Sequence, residues 1–143
     1  MNTKKIYNLL VKEWPNISFN IEEEDNEHIE LTAETNAKRF FDDDIFIRVI
    51  AYASGSSHVF FVLDELDSTL ETYQLINEFN ENQSWAKAYI MESSNGRHYL
   101  KIHYAFLSAK NEKDVCECIG YALDDLVSEE TLLNLKPLTD LTK

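Results

Sequence analysis

The first apolar positions of the chain, Ile6, Leu9 and Leu10, fall at i, i+3 and i+4 behind two residues able to cap a helix, Asn2 and Thr3. Pro15 follows shortly after Glu13, so the spacing predicts an amphipathic helix of about three turns. The period then drops to two. Ile17, Phe19 and Ile21 alternate with Ser18, Asn20 and Glu22, and beyond an acidic stretch from Glu22 to Glu27, read as a turn, Ile29 and Leu31 alternate with Glu30 and Thr32 as far as Thr35. The two runs predict a hairpin.

From Asp44 onward the alternation loses its wet side. Ile45, Ile47, Val49 and Ala51 mark one face of a strand, while Phe46, Ile50 and Tyr52 mark the other around Arg48. After turn chemistry at Ser54-Gly55-Ser56-Ser57 the pattern repeats, with Val59, Phe61 and Leu63 on one face and Phe60 and Val62 on the other. An antiparallel sheet packed on one side shows one apolar face, so whichever set points away from the packed side needs cover. Phe46, Ile50, Tyr52, Phe60 and Val62 are the candidate partner-binding residues; the pattern equally lets Ile45, Ile47, Val49, Phe61 and Leu63 take that place. The cover is a helix of the same chain, a second subunit, or a client segment adding along a sheet edge.

A second helix is expected from Asp67 or Ser68, because Ser68 precedes Glu71 by a capping-box interval and Leu70, Tyr73, Ile76 and Phe79 share a face, with its end near Asn82. Trp85 to Met91 and His98 to Leu107 are rich in strand-forming residues and flank Asn95-Gly96, a pair suited to a type I′ turn. Asn111 can cap a last long helix carrying Val115, Ile119, Ala122 and Leu126 on one stripe, and Ser128 can restart a short turn through Leu133. The resulting order is α-β-β-β-β-α-β-β-α, an α+β fold with an antiparallel sheet of about six strands packed by three helices. One domain is expected over 1–136, with a C-terminal tail over 137–143 that frays unless it docks.

Composition narrows the chemistry more than it identifies it. The chain has 143 residues, 44% of them hydrophobic, enough for one continuous core. Acidic residues outnumber basic ones 26 to 13, so the surface disfavours phosphate backbones and anionic membranes and leaves a protein as the expected partner, another protein or a second copy in a homodimer. Asn8 and Lys12 interrupt any apolar run near the start, and no stretch is long enough to span a bilayer, which points to a cytoplasmic protein. Cys116 and Cys118 stand two apart in a helix, about 200° around its axis, and read as reduced thiols that neither bridge nor chelate.

Spacing argues against the chain's candidate metal and catalytic groups. None of His28, His58, His98 and His103 forms a helical ligand pair, and the odd separation of His98 and His103 sends them to opposite faces of one strand, so no metal site is expected. Asp42, Asp43 and Asp44 are contiguous and lack the spaced ligands and glycine of a calcium loop, and Glu22 to Asp25 reads likewise as a solvated acidic stretch. There is no nucleophile elbow, Cys–His pair or glycine-rich phosphate loop. Gly55 and Gly96 belong to turns, and Gly120 is expected to let the last helix approach the sheet closely. The chain reads as no enzyme and as needing no cofactor.

The element order, together with Leu75-Ile76-Asn77-Glu78-Phe79-Asn80 at the end of the second helix, resembles the YbjN family, also called bacterial sensory transduction regulators. In that family a helix ending in an Asn-rich turn leads into a short hairpin and a final amphipathic helix, as here from Thr69 to about Leu133. The wider fold looks like that of type III secretion chaperones. The resemblance implies a non-enzymatic adaptor, regulator or chaperone-like module that works by binding proteins, often as a dimer. The alternative from a different class is an acidic inhibitor or immunity-type protein, presenting Asp42 to Asp44 and Glu22 to Asp25 to a basic surface of a toxin or nucleic-acid-binding protein.

Overall fold

In the computed structural model, which describes residues 1–35 and 45–142, the elements are α1 (Thr3–Glu13), β1 (Asn20–Glu24), β2 (His28–Thr35), β3 (Ile45–Tyr52), β4 (Ser57–Glu65), α2 (Leu70–Asn82), β5 (Lys87–Glu92), β6 (His98–Phe106), α3 (Glu112–Leu126) and α4 (Glu129–Thr139). The strands form one antiparallel sheet in the order β1-β2-β3-β4-β6-β5. Only the β4-to-β6 step departs from sequence neighbours, because α2 and β5 intervene and β5 folds back onto the outer side of β6.

Strict alternation fills one side of this sheet. Ile29, Leu31 and Ala33 of β2, Ile47, Val49 and Ala51 of β3, Val59 and Phe61 of β4, and Leu100, Ile102 and Tyr104 of β6 are all buried, and the register sets Ile47 opposite Phe61 and Phe61 opposite Ile102. The helices close over them: Ile6 and Leu10 of α1, Ile76 and Phe79 of α2, Val115, Ile119, Ala122 and Leu126 of α3, and Leu135 and Leu138 of α4 join the same cluster. Two polar ties fix the helical layer. Tyr104 donates its phenol hydrogen to Asp125 of α3 at 2.6 Å, and the Cys116 thiol donates to the Ile6 carbonyl of α1 at 3.3 Å.

Asn2 caps α1 by accepting from the Lys5 amide, and Asn111 caps α3 by accepting from Asp114. At α2 the cap is Thr69 rather than Asp67 or Ser68: its hydroxyl accepts from the Thr72 amide, while the Thr72 hydroxyl reaches back to the Asp67 carbonyl at 2.7 Å. The Ser68 hydroxyl pairs with Tyr73 instead. With this start, Thr72, Ile76 and Phe79 face inward and the expected stripe is only half kept, since Leu70 is 75% and Tyr73 49% exposed. A fourth helix stands where the sequence suggested a short turn. Ser128 caps α4, which runs through Pro137 to Thr139. Pro137 forgoes one backbone bond at a cost of about 3 kcal/mol, while burial of Leu135 and Leu138 returns roughly 1.5–3 kcal/mol each.

β1 begins at Asn20 and takes in Glu22, Glu23 and Glu24, so the β1–β2 turn is confined to Asp25, Asn26 and Glu27, where the Asp25 carboxylate accepts from the amides of Glu27 and His28. The β5–β6 hairpin lies where Asn95-Gly96 places it, but the turn type differs from the expected I′. Among the described residues positive φ is confined to Gly55 and Gly96, whereas type I′ needs it at Asn95 as well. The Gly96 amide donates to the Ser93 carbonyl and Asn95 Oδ1 accepts from the Arg97 amide, a turn closed by Gly96 in the left-handed region. Gly55 has a second reason to lack a side chain: a Cβ there would stand 2.2 Å from the Ala109 carbonyl oxygen in the β6–α3 connection. Gly120 faces the Trp14 ring at the end of α1, so it lets α3 approach α1 and not the sheet.

Phe61 and Phe46 lie on neighbouring strands and opposite faces, 2% and 37% exposed. Replacing each by alanine separates the two faces energetically. F61A is expected to cost about 3–5 kcal/mol and F46A less than about 1 kcal/mol, both read from urea unfolding midpoints at constant m.

Candidate functional site

The sheet's second face carries no helix among the described residues. Its side chains come from the alternate register: His28 and Glu30 on β2, Phe46, Arg48, Ile50 and Tyr52 on β3, His58, Phe60 and Val62 on β4, Tyr99, Lys101 and His103 on β6, and Tyr89 and Met91 on β5. All five candidate residues of the sequence reading, Phe46, Ile50, Tyr52, Phe60 and Val62, lie here, and the opposite set of Ile45, Ile47, Val49, Phe61 and Leu63 faces the helices. Phe46, Tyr52 and Tyr89 are each more than one-third exposed. β5 and β6 add residues to this face beyond the five the sequence pattern marks, and Tyr89, Tyr99, Lys101 and His103 carry the same signal of large side chains at the non-core parity.

These side chains partly shield one another. The His103 ring stacks on Phe60 with centroids 4.4 Å apart and planes 7° from parallel, and on His58 at 5.2 Å. His58 Nδ1 and His103 Nε2 are 2.9 Å apart, so one ring donates and the other accepts. The Lys101 ammonium sits 4.5 Å from the Phe60 centroid and 5.6 Å from that of Tyr89. Arg48 donates from Nε to Glu30 at 2.6 Å. Beside this row Phe46, Arg48, Phe60, Val62, Met91, Tyr99 and Lys101 line a shallow cavity of about 340 Å³. Burial, reinforced by His58 and Lys101, holds the His103 pKa below its ordinary value.

A second concavity, of about 830 Å³, opens between the end of β6, the β6–α3 connection and α3. Trp85, Phe106 and Tyr121 meet there with centroids 5.7 to 6.2 Å apart, beside Leu107 and Cys118. Burial and the carboxylates of Asp114 and Glu117 raise the Cys118 pKa, and burial pushes the Cys116 thiol up to about 11. Both shifts favour the protonated thiol. At the other end of the α3–α4 junction Asp125 also accepts from Thr131 at 3.3 Å, and burial together with that carboxylate raises the Tyr104 phenol far above its ordinary range.

His98 and His103 lie on opposite sides of β6, as their spacing requires, but His58 and His103, far apart in sequence, come into contact. Among the described residues Glu23, Asp25 and His28 bring three ligand atoms together. Their imidazole is spent between two carboxylates, with Nδ1 3.2 Å from Asp25 and Nε2 3.6 Å from Glu23, and Asp25 also holds two turn amides, so the group closes the β1–β2 hairpin. Glu22 to Glu24 line the exposed edge strand, where charge discourages further strand addition. The Asp42 to Asp44 cluster lies outside the described residues. No helix of the described residues is long and apolar enough to cross a membrane.

No protein-family model and no curated protein sequence matches the chain. Among solved structures the chain is similar to YbjN of E. coli, described as a candidate transcription regulator, with a TM-score of 0.62 and 8% identity over 98% of this chain and 95% of that one. The chain therefore has a YbjN-like fold, which says nothing about the side chains on the open face.

Because burial holds the His103 pKa below that of the unfolded chain, the unfolded chain binds more protons as the pH falls through about 6.5. Stability is expected to fall as pH drops from there toward the depressed folded value and to be unaffected by this group above pH 7.5. H103Q should flatten that part of a melting-temperature profile taken between pH 7.5 and 5.0, and an unchanged slope would assign the acid sensitivity to other groups.

Proposed function

We propose that this chain is a non-enzymatic protein-binding adaptor or regulator of the YbjN type, acting in the cytoplasm through the helix-free face of its sheet. The observation that carries the proposal is the double apolarity of β3 and β4: one set of side chains is sealed by the chain's own helices, and the other, with Phe46 and Tyr52 more than one-third exposed beside Tyr89 of β5, has no helix over it among the described residues. An apolar face of this breadth on a chain of net charge −13 is what a binding surface requires and what solubility alone disfavours. The YbjN-like fold supports a regulator or adaptor role at the level of architecture. Burial raises the pKa of both cysteines, which disfavours a nucleophilic role for either thiol and agrees with the non-enzymatic reading.

The occupant is a protein partner or a second copy. Light scattering after size exclusion, with affinity capture from native lysate, is the test. The wild-type chain is expected to self-associate or retain a partner, and a triple variant, Phe46→Ser, Tyr52→Ser and Tyr89→Ser, to lose that association while melting cooperatively, since the three side chains contribute little to the core. A strict monomer that retains nothing, or association indifferent to the triple change, removes the proposal.

A further inference from the structure

Among the described residues the open face holds an ammonium group that no anion pairs with. Among the described residues the ion pairs engage Lys4, His28, Arg48 and Lys136, but none engages Lys101, although the chain has 26 acidic residues. Lys101 is half-buried over Phe60 and Tyr89 and lies in the wall of the 340 Å³ cavity. The other basic side chains nearby are already committed. Lys87 donates to the carbonyls of Asn80 and Gln83, and Arg48 gives Nε to Glu30. Arg48 lines the same cavity, and its Nη groups make no hydrogen bond among the described residues. The remaining lining, Phe46, Phe60, Val62, Met91 and Tyr99, is almost wholly apolar.

One unpaired ammonium at the wall of a small apolar cavity, with the Nη groups of the Glu30-paired Arg48 beside it, on a molecule that is otherwise strongly acidic, fits a ligand that brings a carboxylate and a large apolar group together. A phosphate backbone fits worse, because the surrounding surface repels a chain of repeated charges and the Phe60 ring is already stacked by His103. A free metabolite would fill the cavity and leave Tyr52 and Tyr89 in water, whereas a peptide reaches the cavity and covers the flanking aromatics too. Building on the protein-binding reading above, we infer that the cavity between Arg48 and Lys101 receives a segment of the partner protein in which Asp or Glu adjoins a large apolar side chain, the carboxylate pairing with Lys101 and the apolar group entering between Phe46, Val62 and Tyr99.

The test pans a displayed library of random peptides on the immobilised full chain, then measures synthetic versions of the selected peptides by fluorescence anisotropy. Selected sequences should place Asp or Glu beside Leu, Ile, Phe or Tyr. An acid-to-amide change in the best peptide should weaken binding to the wild-type chain at least about tenfold, the order expected for one charge-assisted hydrogen bond. K101M should bind the acid and amide peptides alike, and K101R should keep the preference, which a merely structural role for Lys101 would not produce. Selection without acidic residues, no selection at all, or an acid preference that persists in K101M overturns the inference. So does binding of phenylacetate with no binding of any peptide, which would make the site one for a small carboxylate. If the acid preference fails while the Phe46, Tyr52 and Tyr89 triple variant still abolishes association, the pocket assignment alone falls; if association itself is missing, both readings fall.

Discussion

The constraint on which the rest of the structure depends is the parity of a pleated strand: two adjacent strands that carry large apolar side chains on both faces cannot hide both in a single helical layer. β3 and β4 are such a pair, and they sit at the centre of the six-stranded sheet. The chain spends its helices on one side, where Phe61, Tyr104 and the aliphatic rows of β2, β3 and β6 close into a core. Everything distinctive about the molecule follows from what is left on the other side.

That side is not a bare hydrophobic sheet. Phe60 is sandwiched into a row with His58, His103 and Lys101, and Arg48 is tethered to Glu30 across the β2–β3 ladder, so the largest rings are partly screened by neighbours that also carry polar atoms. Such a surface stays hydrated when alone and desolvates at modest cost when covered, because its imidazoles pair with each other and its ammonium rests on aromatic faces. The acidic edge at Glu22 to Glu24 works in the same direction, turning away unplanned strand addition beside a face that would otherwise invite it.

Much of this was legible from residue order because the sheet's periodicity is strong. The α+β class, the six strands and the pairing of β5 with β6 follow from alternation and from Asn95-Gly96. What the pattern could not settle was the direction of each face, since Ile45, Ile47 and Val49 are as apolar as Phe46, Ile50 and Tyr52; that choice is made by where α1 and α3 dock, a tertiary fact. The start of α2 moved by one or two residues for a local reason: Ser68 satisfies the capping pattern on paper, but Thr69 and Thr72 together satisfy more backbone groups. The fourth helix was hidden by Pro137, whose usual meaning is overruled by the burial of Leu138. The His58–His103 contact was beyond reach of any spacing rule, because it joins β4 to β6 across an intervening helix and strand.

The likeness to YbjN, at 8% identity over nearly the whole of both chains, shows how little of this architecture resides in particular residues. A fold held by parity, helix cover and a few tight turns tolerates wholesale exchange of side chains provided the alternation survives. The inward face is bound by that condition, since any residue there must fill the space between sheet and helices. The outward face is not: Phe46, Tyr52 and Tyr89 could each be polar at little cost to the core, yet they are aromatic. Side chains that folding does not demand, and that exposure to water disfavours, ask for a reason outside the fold, and the covering partner we propose would be such a reason.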